Sequence, residues 1–491
     1  MSHSTRHKRR RSRSNDRFDT QMIANGVLLI LFALLAGIAS YTMYAHNILA
    51  FRHVNVIYTA VLVVVFLVCL LLTLFKKGKH LVTVLLVLFS IVVGVSLFAF
   101  KSLVDVAGNI NKTASYSEIE MKVVVPANSS ISDVSELTNV QAPTSADESN
   151  INALIANIKS EKGVELTVDP VDSYQSAYEN LINGSSQAMV LNSSYSSLLE
   201  LSYNDYESNL KTIYTYKIKK AIEDTAKTTD KNVFNIYISG IDTSGAVSTV
   251  SRSDVNLILT VNMNTHKILM TTTPRDSYVR IPDGGADQYD KLTHAGIYGI
   301  ETSVKTLENL YDIPINYYAR LNFTSFVKLI NALGGVTVYN DQAFTSLYGN
   351  YNFGVGNINL TSGEEALGFV RERYSLEHGD YDRGNNQLKV IQAIVEKLTS
   401  FQSVSNYSDV ISTLQDSIQT NMPLNTMMSL VNEQLDSGKT FIFSSQEVTG
   451  TGSTGQLTSY AMPNASLYMI QLDDASVAKA SQAIKNVMEG K

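Results

Sequence analysis

The sequence predicts an α/β protein: three N-terminal transmembrane helices, a small α/β accessory domain, and a larger α/β domain whose central sheet is flanked by helices. Three observations carry that expectation. Residues 22–44, 54–75 and 81–100 contain no charged side chain, and about 20 apolar residues cross a bilayer as a helix. Beyond them, short β-branched runs alternate with helical patterns, as in layered α/β folds. Those runs are separated by Gly, Pro and capping residues at turn spacing.

Charge orients the membrane part. Residues 1–17 hold seven Lys/Arg, and Lys76, Lys77 and Lys79 lie between spans two and three, whereas only Arg52 lies between spans one and two. Positive loops stay inside, so the N-terminus is expected in the cytoplasm and everything after about residue 101 outside. Residues 1–100 carry eleven basic and two acidic residues, a balance of +9; the remainder has 28 basic and 43 acidic, a balance of −15. So acidic a body disfavours nucleic acid as a partner. The single cysteine, Cys69, rules out an intrachain disulfide and a cysteine metal site. A length of 491 residues suggests about three domains. The expected division is a basic tail at 1–20, helices at 21–101, the accessory domain at 115–220, the larger domain at 230–400, and a C-terminal part at 401–491 packing on or extending it.

Residues 101–117 read as a polar connection or as a helix running on from the third span. In the accessory unit, residues 121–125, 164–168 and 187–191 are expected as strands, and 148–159 and 173–182 as helices. No clustered acids, histidines or phosphate loop occur over 117–220, which suits a binding or spacer module. A polar stretch at 220–230 links the two units. Strands follow at 233–241, 255–261 and 267–273, a helix at 298–310 and an extended run at 316–321. Phe323, Phe326, Ile330 and Leu333 form one helical stripe stopped by Gly334 and Gly335. Such a stripe serves a core or a lipid tail, and periodicity does not separate the two. A strand at 336–339, helices at 410–418 and 426–435, a strand at 440–444, a flexible Gly/Ser/Thr run at 449–455 and a helix at 475–488 complete the chain.

Residues 369–387 are the densest in chemistry. Ser362 and Glu365 read as a helix start, with Glu365 reaching back to the cap. The helix carries Arg371 and Arg373 near its end, and residues two apart do not share a helix face. Gly379 breaks the pattern, Asp380 or Asp382 caps a second helix, and Arg383 and Gln387 then share one face. Guanidiniums match phosphate oxygens in pairs, so the stretch reads as an anion site. The alternative is an exposed ion-pair network through Glu372, Glu377 and Asp382. Asp242, Arg252, Asp254 and Arg275 stand at strand ends, where α/β sheets collect ligands. Asp242 and Asp254 offer oxygens to a hard divalent cation. His294 and His378 read as structural, and neither a nucleophilic triad nor a Walker loop occurs.

Arg252-Ser-Asp254, Pro274-Arg275-Asp276, the run Asp290 to Ala295, Leu333 to Val336, and Arg371-Glu-Arg373 with Asp380, Arg383 and Gln387 resemble, in this order, the LytR–CpsA–Psr family. The resemblance spans residues 232–398, and the three-span anchor with an extra outer module is similar to capsule-assembly members. It implies a magnesium-dependent (or manganese-dependent) glycopolymer–peptidoglycan transferase of phosphotransferase type. The implied reaction moves capsular polysaccharide from undecaprenyl pyrophosphate to peptidoglycan, by attack at phosphorus or at the sugar carbon. Arg252, Arg275, Arg371, Arg373, Arg383 and Gln387 are implied to hold the pyrophosphate, and Asp242 and Asp254 the metal. Asp254, Arg252, Arg275 and Asp380 are implied in catalysis, with Arg280 a further candidate contact. Implied partners are the lipid-linked glycan, the peptidoglycan acceptor, membrane lipid and other capsule-assembly proteins. Two other classes compete: a membrane regulator that binds the lipid precursor without turnover, and a transcriptional regulator acting through residues 1–17. An outside location disfavours the latter.

Overall fold

The computed structural model describes residues 20–222, 232–241, 247–399 and 418–491. The chain divides into two compact units, Met1–Val104 and Asp105–Lys491. In the first lie α1 (Thr20–Ala45), α2 (Val54–Leu74) and the start of α3 (Lys79–Ala114), each long and apolar enough to cross a membrane. Phe32, Cys69 and Leu86 are fully buried among the three helices, while Ile30, Leu34, Val64 and Val95 face outward. The apolar outer face suits lipid, which supplies no hydrophobic drive for the helices to associate. Polar contacts help instead: Asn25 donates to the Lys79 carbonyl (3.0 Å) and accepts from Thr83 (2.7 Å). The third helix runs on to Ala114, so the continuing-helix reading of 101–117 is the one found.

Two sheets organise the second unit. The smaller contains β1 (Tyr116–Pro126), β2 (Asn139–Ala142), β3 (Thr167–Pro170), β4 (Met189–Asn192) and β5 (Leu210–Ala221), in the order β3-β2-β4-β1-β5. Helices α4 (Thr144–Lys162), α5 (Tyr174–Ile182) and α6 (Ser196–Ser202) complete it. Two of its strands were not expected. β2 is four residues long, and β5 is an edge strand whose Lys211, Lys217, Lys219 and Lys220 obscure the alternation. Lysines are a common means of protecting an edge. The strand expected at 164–168 begins only at Thr167.

The larger sheet is built on β6 (Val233–Ile241), β7 (Ser253–Asn262) and β8 (Lys267–Thr272), three antiparallel neighbours. A hairpin of β9 (Tyr278–Ile281) and β10 (Gln288–Lys291) follows, then α7 (Ile300–Tyr311) and β11 (Tyr317–Asn322). Next come α8 (Phe323–Ala332), β12 (Val336–Asn340), the short pair β13 (Phe344–Thr345) and β14 (Asn352–Phe353), and β15 (Gly356–Leu360). The chain continues through α9 (Gly363–Arg371), α10 (Asp380–Thr399), β16 (Gln419–Thr420), α11 (Leu424–Ser437), β17 (Ile442–Glu447), β18 (Gly450–Thr454), β19 (Tyr468–Leu472) and α12 (Asp474–Met488). Sheet order is β16-β11-β6-β7-β8-β17, with β11 parallel to β6 and β17 parallel to β8.

One sheet face packs Tyr237, Ile258 and Leu269 against α7 and α12. The opposite face packs Leu257, Leu259 and Met270 against Leu388 and Ile391 of α10 and Leu430 of α11. A third cluster joins α8, α9 and α10 to β12–β15 through Ile330, Phe344, Phe369 and Val390. The run expected to be flexible at 449–455 is instead β18, paired with β19 from Gly450↔Leu472 to Thr454↔Tyr468. Its small residues carry no hydrophobic period, so only the partner strand reveals it. Of the helix expected at 410–418, only Ile418 lies among the described residues, and it is not helical.

Candidate functional site

Three strand ends and two helix ends meet. Antiparallel pairing sets Ile241, at the end of β6, opposite Ser253 at the start of β7. Arg252 immediately precedes β7 and Asp254 follows its first residue. Leu257 pairs with Thr272, so the exit of β8 brings Arg275 beside Asp254. The Arg275 Nη1 donates to Asp254 Oδ2 at 2.8 Å, and Thr293 Oγ1 donates to Asp254 Oδ1 at 3.1 Å. Thr293 is placed by a short helical turn, Leu292–Tyr298, that rests on the backbone before β7. A Cβ on Gly296 would stand 2.5 Å from the Ser251 carbonyl oxygen and 2.6 Å from the Ser253 nitrogen, so only glycine admits this approach.

The helix pair supplies the other wall. Ser362 caps α9, its Oγ accepting from the Glu365 N–H at 3.2 Å. Glu365 does not return to the cap residue as expected; its carboxylate accepts from the Thr361 N–H (2.8 Å) and hydroxyl (3.0 Å), one residue earlier. A Cβ on Gly363 would meet the Val327 carbonyl oxygen at 2.2 Å, so α9 starts in backbone contact with α8. The helix ends at Arg371, and Glu372 is extended (φ −62, ψ 137), which lets Arg371 and Arg373 serve one place despite their spacing. α10 begins at Asp380 after Gly379 at φ +56. Asp382 Oδ2 accepts from the His378 N–H at 2.8 Å.

Glu372 corrects the ion-pair alternative. It is 3% exposed. Its Oε1 accepts the N–H groups of Arg373 (2.9 Å), Tyr374 (2.8 Å) and Ser375 (2.9 Å), and its Oε2 that of Leu347 (2.6 Å). One carboxylate thus ties the arginine loop to the tip of the β13–β14 hairpin. Asp382 is held by Gln342 Nε2 (2.8 Å) and the His378 N–H (2.8 Å), with the His378 ring Nδ1 3.5 Å away.

Between the sheet and α8, α9 and α10 lies a cavity of about 430 Å³. Its depth is apolar, with Ile238, Leu259 and Leu321 from the sheet and Val370, Val390 and Ile394 from the helices. Arg252, Asp254, Arg275, Arg371, Arg373, Arg383 and Gln387 all line it. The α8 stripe divides: Ile330 and Leu333 are buried in core, while Phe323 and Phe326 face the cavity. The Arg371 guanidinium lies over Phe323 (4.3 Å to the ring centre) and Tyr348 (5.1 Å); that of Arg373 stands 5.9 Å from Tyr374 and 6.0 Å from Tyr468. Gln387 Nε2 donates to the Val370 carbonyl at 3.3 Å.

Burial pushes the Asp254 carboxyl up, but the guanidiniums of Arg275, Arg252 and Arg383 outweigh it and hold the group well below the usual carboxylate range. Asp276 behaves alike: burial raises it, and Lys291, Arg275 and Arg373 more than reverse the effect. Burial lowers the Lys291 ammonium against the pull of Asp276, because Arg275 and Arg252 repel it as well. The Asp254 carboxylate therefore contributes stability that is complete above about pH 4, its ordinary range. That contribution is lost as pH falls through its depressed value. The stability gap between wild type and Asp254→Asn is expected to be flat from about pH 5 to 8 and to close below about pH 4, measured by denaturant unfolding across pH.

Of the residues singled out in the sequence, the structure gathers seven around this cavity. Asp242 lies outside the described residues, as does the side chain of Asp380, so neither is placed. Arg280 does not line the cavity; it is 64% exposed on β9, donating to the Asp287 carbonyl at 3.0 Å. His294 is buried, with its Nδ1 2.9 Å from Asp290 Oδ1. Sequence reasoning gave no site role to Thr293, Glu372, Tyr348, Tyr374 or Tyr468, single polar or aromatic residues with no periodic signal. It also missed Arg320, fully buried between cavity-lining Ala319 and Leu321 and donating to the Val247 (3.3 Å) and Thr249 (2.9 Å) carbonyls. Burial lowers its guanidinium to about 10.

Clustered guanidiniums over an apolar cavity have the chemistry to match an amphiphilic anion. The LytR_cpsA_psr family model matches residues 200–476, and the chain belongs to that family. A second model, DNA polymerase processivity factor, matches residues 76–191, less than half of the chain. The chain is 33% identical over 282 residues to a polyisoprenyl-teichoic acid–peptidoglycan teichoic acid transferase TagU from Enterococcus faecalis, covering 56% of this chain and 87% of that one. It is 35% identical over 232 residues to the TagU of Oceanobacillus iheyensis, covering 46% and 69%. Among solved structures, TagT bound to LI-WTA aligns at 28% identity and a TM-score of 0.43, covering 54% of this chain and 96% of that one.

Proposed function

We propose that this protein transfers a polyisoprenyl-pyrophosphate-linked glycopolymer, a capsular polysaccharide, onto cell-wall peptidoglycan on the outer side of the membrane. The observation that carries the reading is the single cavity that joins a greasy interior to Arg252, Arg275, Arg371, Arg373, Arg383 and Gln387. The prenyl chain occupies the apolar depth, and the arginines neutralise the pyrophosphate without rearranging during reaction. An acceptor sugar hydroxyl attacks phosphorus, its O–P bond forming as the pyrophosphate bridge breaks and undecaprenyl phosphate leaves. Asp380 orients the arginines or assists that hydroxyl.

A divalent cation, magnesium or manganese, supplies further charge neutralisation at the phosphates when bound. Asp254 fits that role as a carboxylate at the cavity wall, and the β6–β7 register brings the chain just before Asp242 alongside it. Its two oxygens already accept from Arg275 and Thr293, so a cation would share this carboxylate with them. Calorimetric titration with a prenyl pyrophosphate is expected to show tighter binding with magnesium than with chelator, and Asp254→Ala to abolish the difference. Equal affinity under both conditions rejects the metal role.

The deciding experiment mixes purified protein, lipid-linked glycan, magnesium and peptidoglycan and scores covalent product. Binding without product favours the regulator instead. Arg371→Lys and Arg373→Lys keep the charge but lose the planar fork. Each is expected to weaken prenyl pyrophosphate binding by about 1–3 kcal/mol, the range for hydrogen bonds to charged groups. Orientation has its own test: a reporter fused after Asn109 is expected to work only outside the cytoplasm, and one after Gly78 only inside.

A further inference from the structure

We infer that a second, wholly polar cavity on another face of α10 is a subsite for one neutral sugar ring of the glycan, an inference that rests on the transferase reading above. This cavity, about 210 Å³, has no apolar residue in its lining. Asp382, Asn385, Asn386 and Lys389 share one face of α10, whereas Arg383, Gln387 and Val390 of the same helix face the main cavity. The two cavities therefore lie on adjacent faces of one helix, and Asp382 and Arg383 are chain neighbours.

The lining selects the ligand by exclusion. Three carboxylates, Asp341, Glu377 and Asp382, face one ammonium, Lys389, which is already paired with Asp341. An anion is repelled there. Among the described residues no three acids or histidines are grouped to hold a metal ion. What remains is a neutral ligand rich in donors and acceptors, and amides with carboxylates suit sugar hydroxyls and acetamido groups, which need both.

Asn386 supplies the independent sign. It is 4% exposed, lines this cavity, and its Nδ2 has no acceptor among the described residues. A buried amide left without a partner is costly and calls for a reason. A sugar oxygen would provide one. The walls are fixed beforehand: Gln342 Nε2 donates to Asp382 at 2.8 Å, Gln342 Oε1 accepts from the Glu377 N–H at 3.0 Å, and Asn340 Nδ2 donates to the Gly354 carbonyl at 2.9 Å.

The test titrates the full chain in detergent with three probes: a prenyl pyrophosphate, the same lipid bearing N-acetylglucosamine, and a free N-acetylglucosamine disaccharide. Asn386→Leu is expected to weaken the sugar-bearing probes about tenfold and leave the bare lipid unchanged. Asn385→Ala, at an exposed position, is expected to act in the same direction and decides the matter where Asn386→Leu fails to fold. Loss confined to the lipid-linked sugar assigns the subsite to the donor glycan; loss with the free disaccharide assigns it to the acceptor. If neither sugar-bearing probe responds to the variants, or if the bare lipid responds equally, the subsite is overturned. If the bare lipid does not bind wild type at all, the pyrophosphate reading fails instead, and the free disaccharide still tests the subsite.

Discussion

Asp254→Asn is expected to reduce polymer attachment to the wall by roughly two to three orders of magnitude, the scale seen when one preorganised charge-stabilising group is removed. The chain is expected to stay folded in the membrane. The substitution keeps shape and removes charge, so Arg275 loses the charge on its 2.8 Å partner and Arg252 and Arg383 lose their shared anion. Breaking a largely buried pair from one side costs about 3–5 kcal/mol. The Asp254 side chain retains 19% exposure, so water screens part of this and the lower end is expected. Two measurements separate chemistry from folding: membrane-resident protein by immunoblot, and wall-bound against released polymer. Normal attachment with normal protein would remove Asp254 from the reaction.

Glu372→Ala is the second large effect. Four backbone N–H groups end on this carboxylate, and a buried donor left unsatisfied costs about 1–3 kcal/mol. The loop can turn some of them to water, so about 3–5 kcal/mol of local stability is expected to go. The consequence for binding exceeds that of either single arginine, because both Arg371 and Arg373 lose their frame together. Glu372→Gln retains one acceptor oxygen but turns an NH2 group toward a donor, and is expected to fall between. Hydrogen exchange at Leu347 and over 373–375, with prenyl pyrophosphate titration, checks both. Unchanged protection at those amides would mean that the loop is held by its other contacts.

Much of this fold was legible because its signals are local. The three spans, the strands at 233–241 and 267–272 and the α8 stripe all repeat a hydrophobic period, and Ser362 and Gly334-Gly335 punctuate helices. β5 and β18 were not legible, since lysines in one and glycine with hydroxyl residues in the other erase the period. The arginines stood out by charge and by positions that neither a strand nor a helix explains. Glu372 and Thr293 did not. A carboxylate that binds backbone looks in sequence like one that binds a guanidinium, and Thr293 reaches Asp254 only because Gly296 lets its turn lie against β7.

Residues far along the chain brace the strand ends. β17 lies beside β8, the Ala461 N–H donates to Asp290 at 2.8 Å, and the Ile470 N–H donates to the Asp276 carbonyl at 2.8 Å. Synthesis delivers these supports after the strands they brace, and long after the apolar helices have left the ribosome. A nascent chain stalled near residue 400 would present Arg275, Asp276 and Lys291 without their clamp. Assembly of the cavity rim is thereby tied to the emergence of residues 442–472.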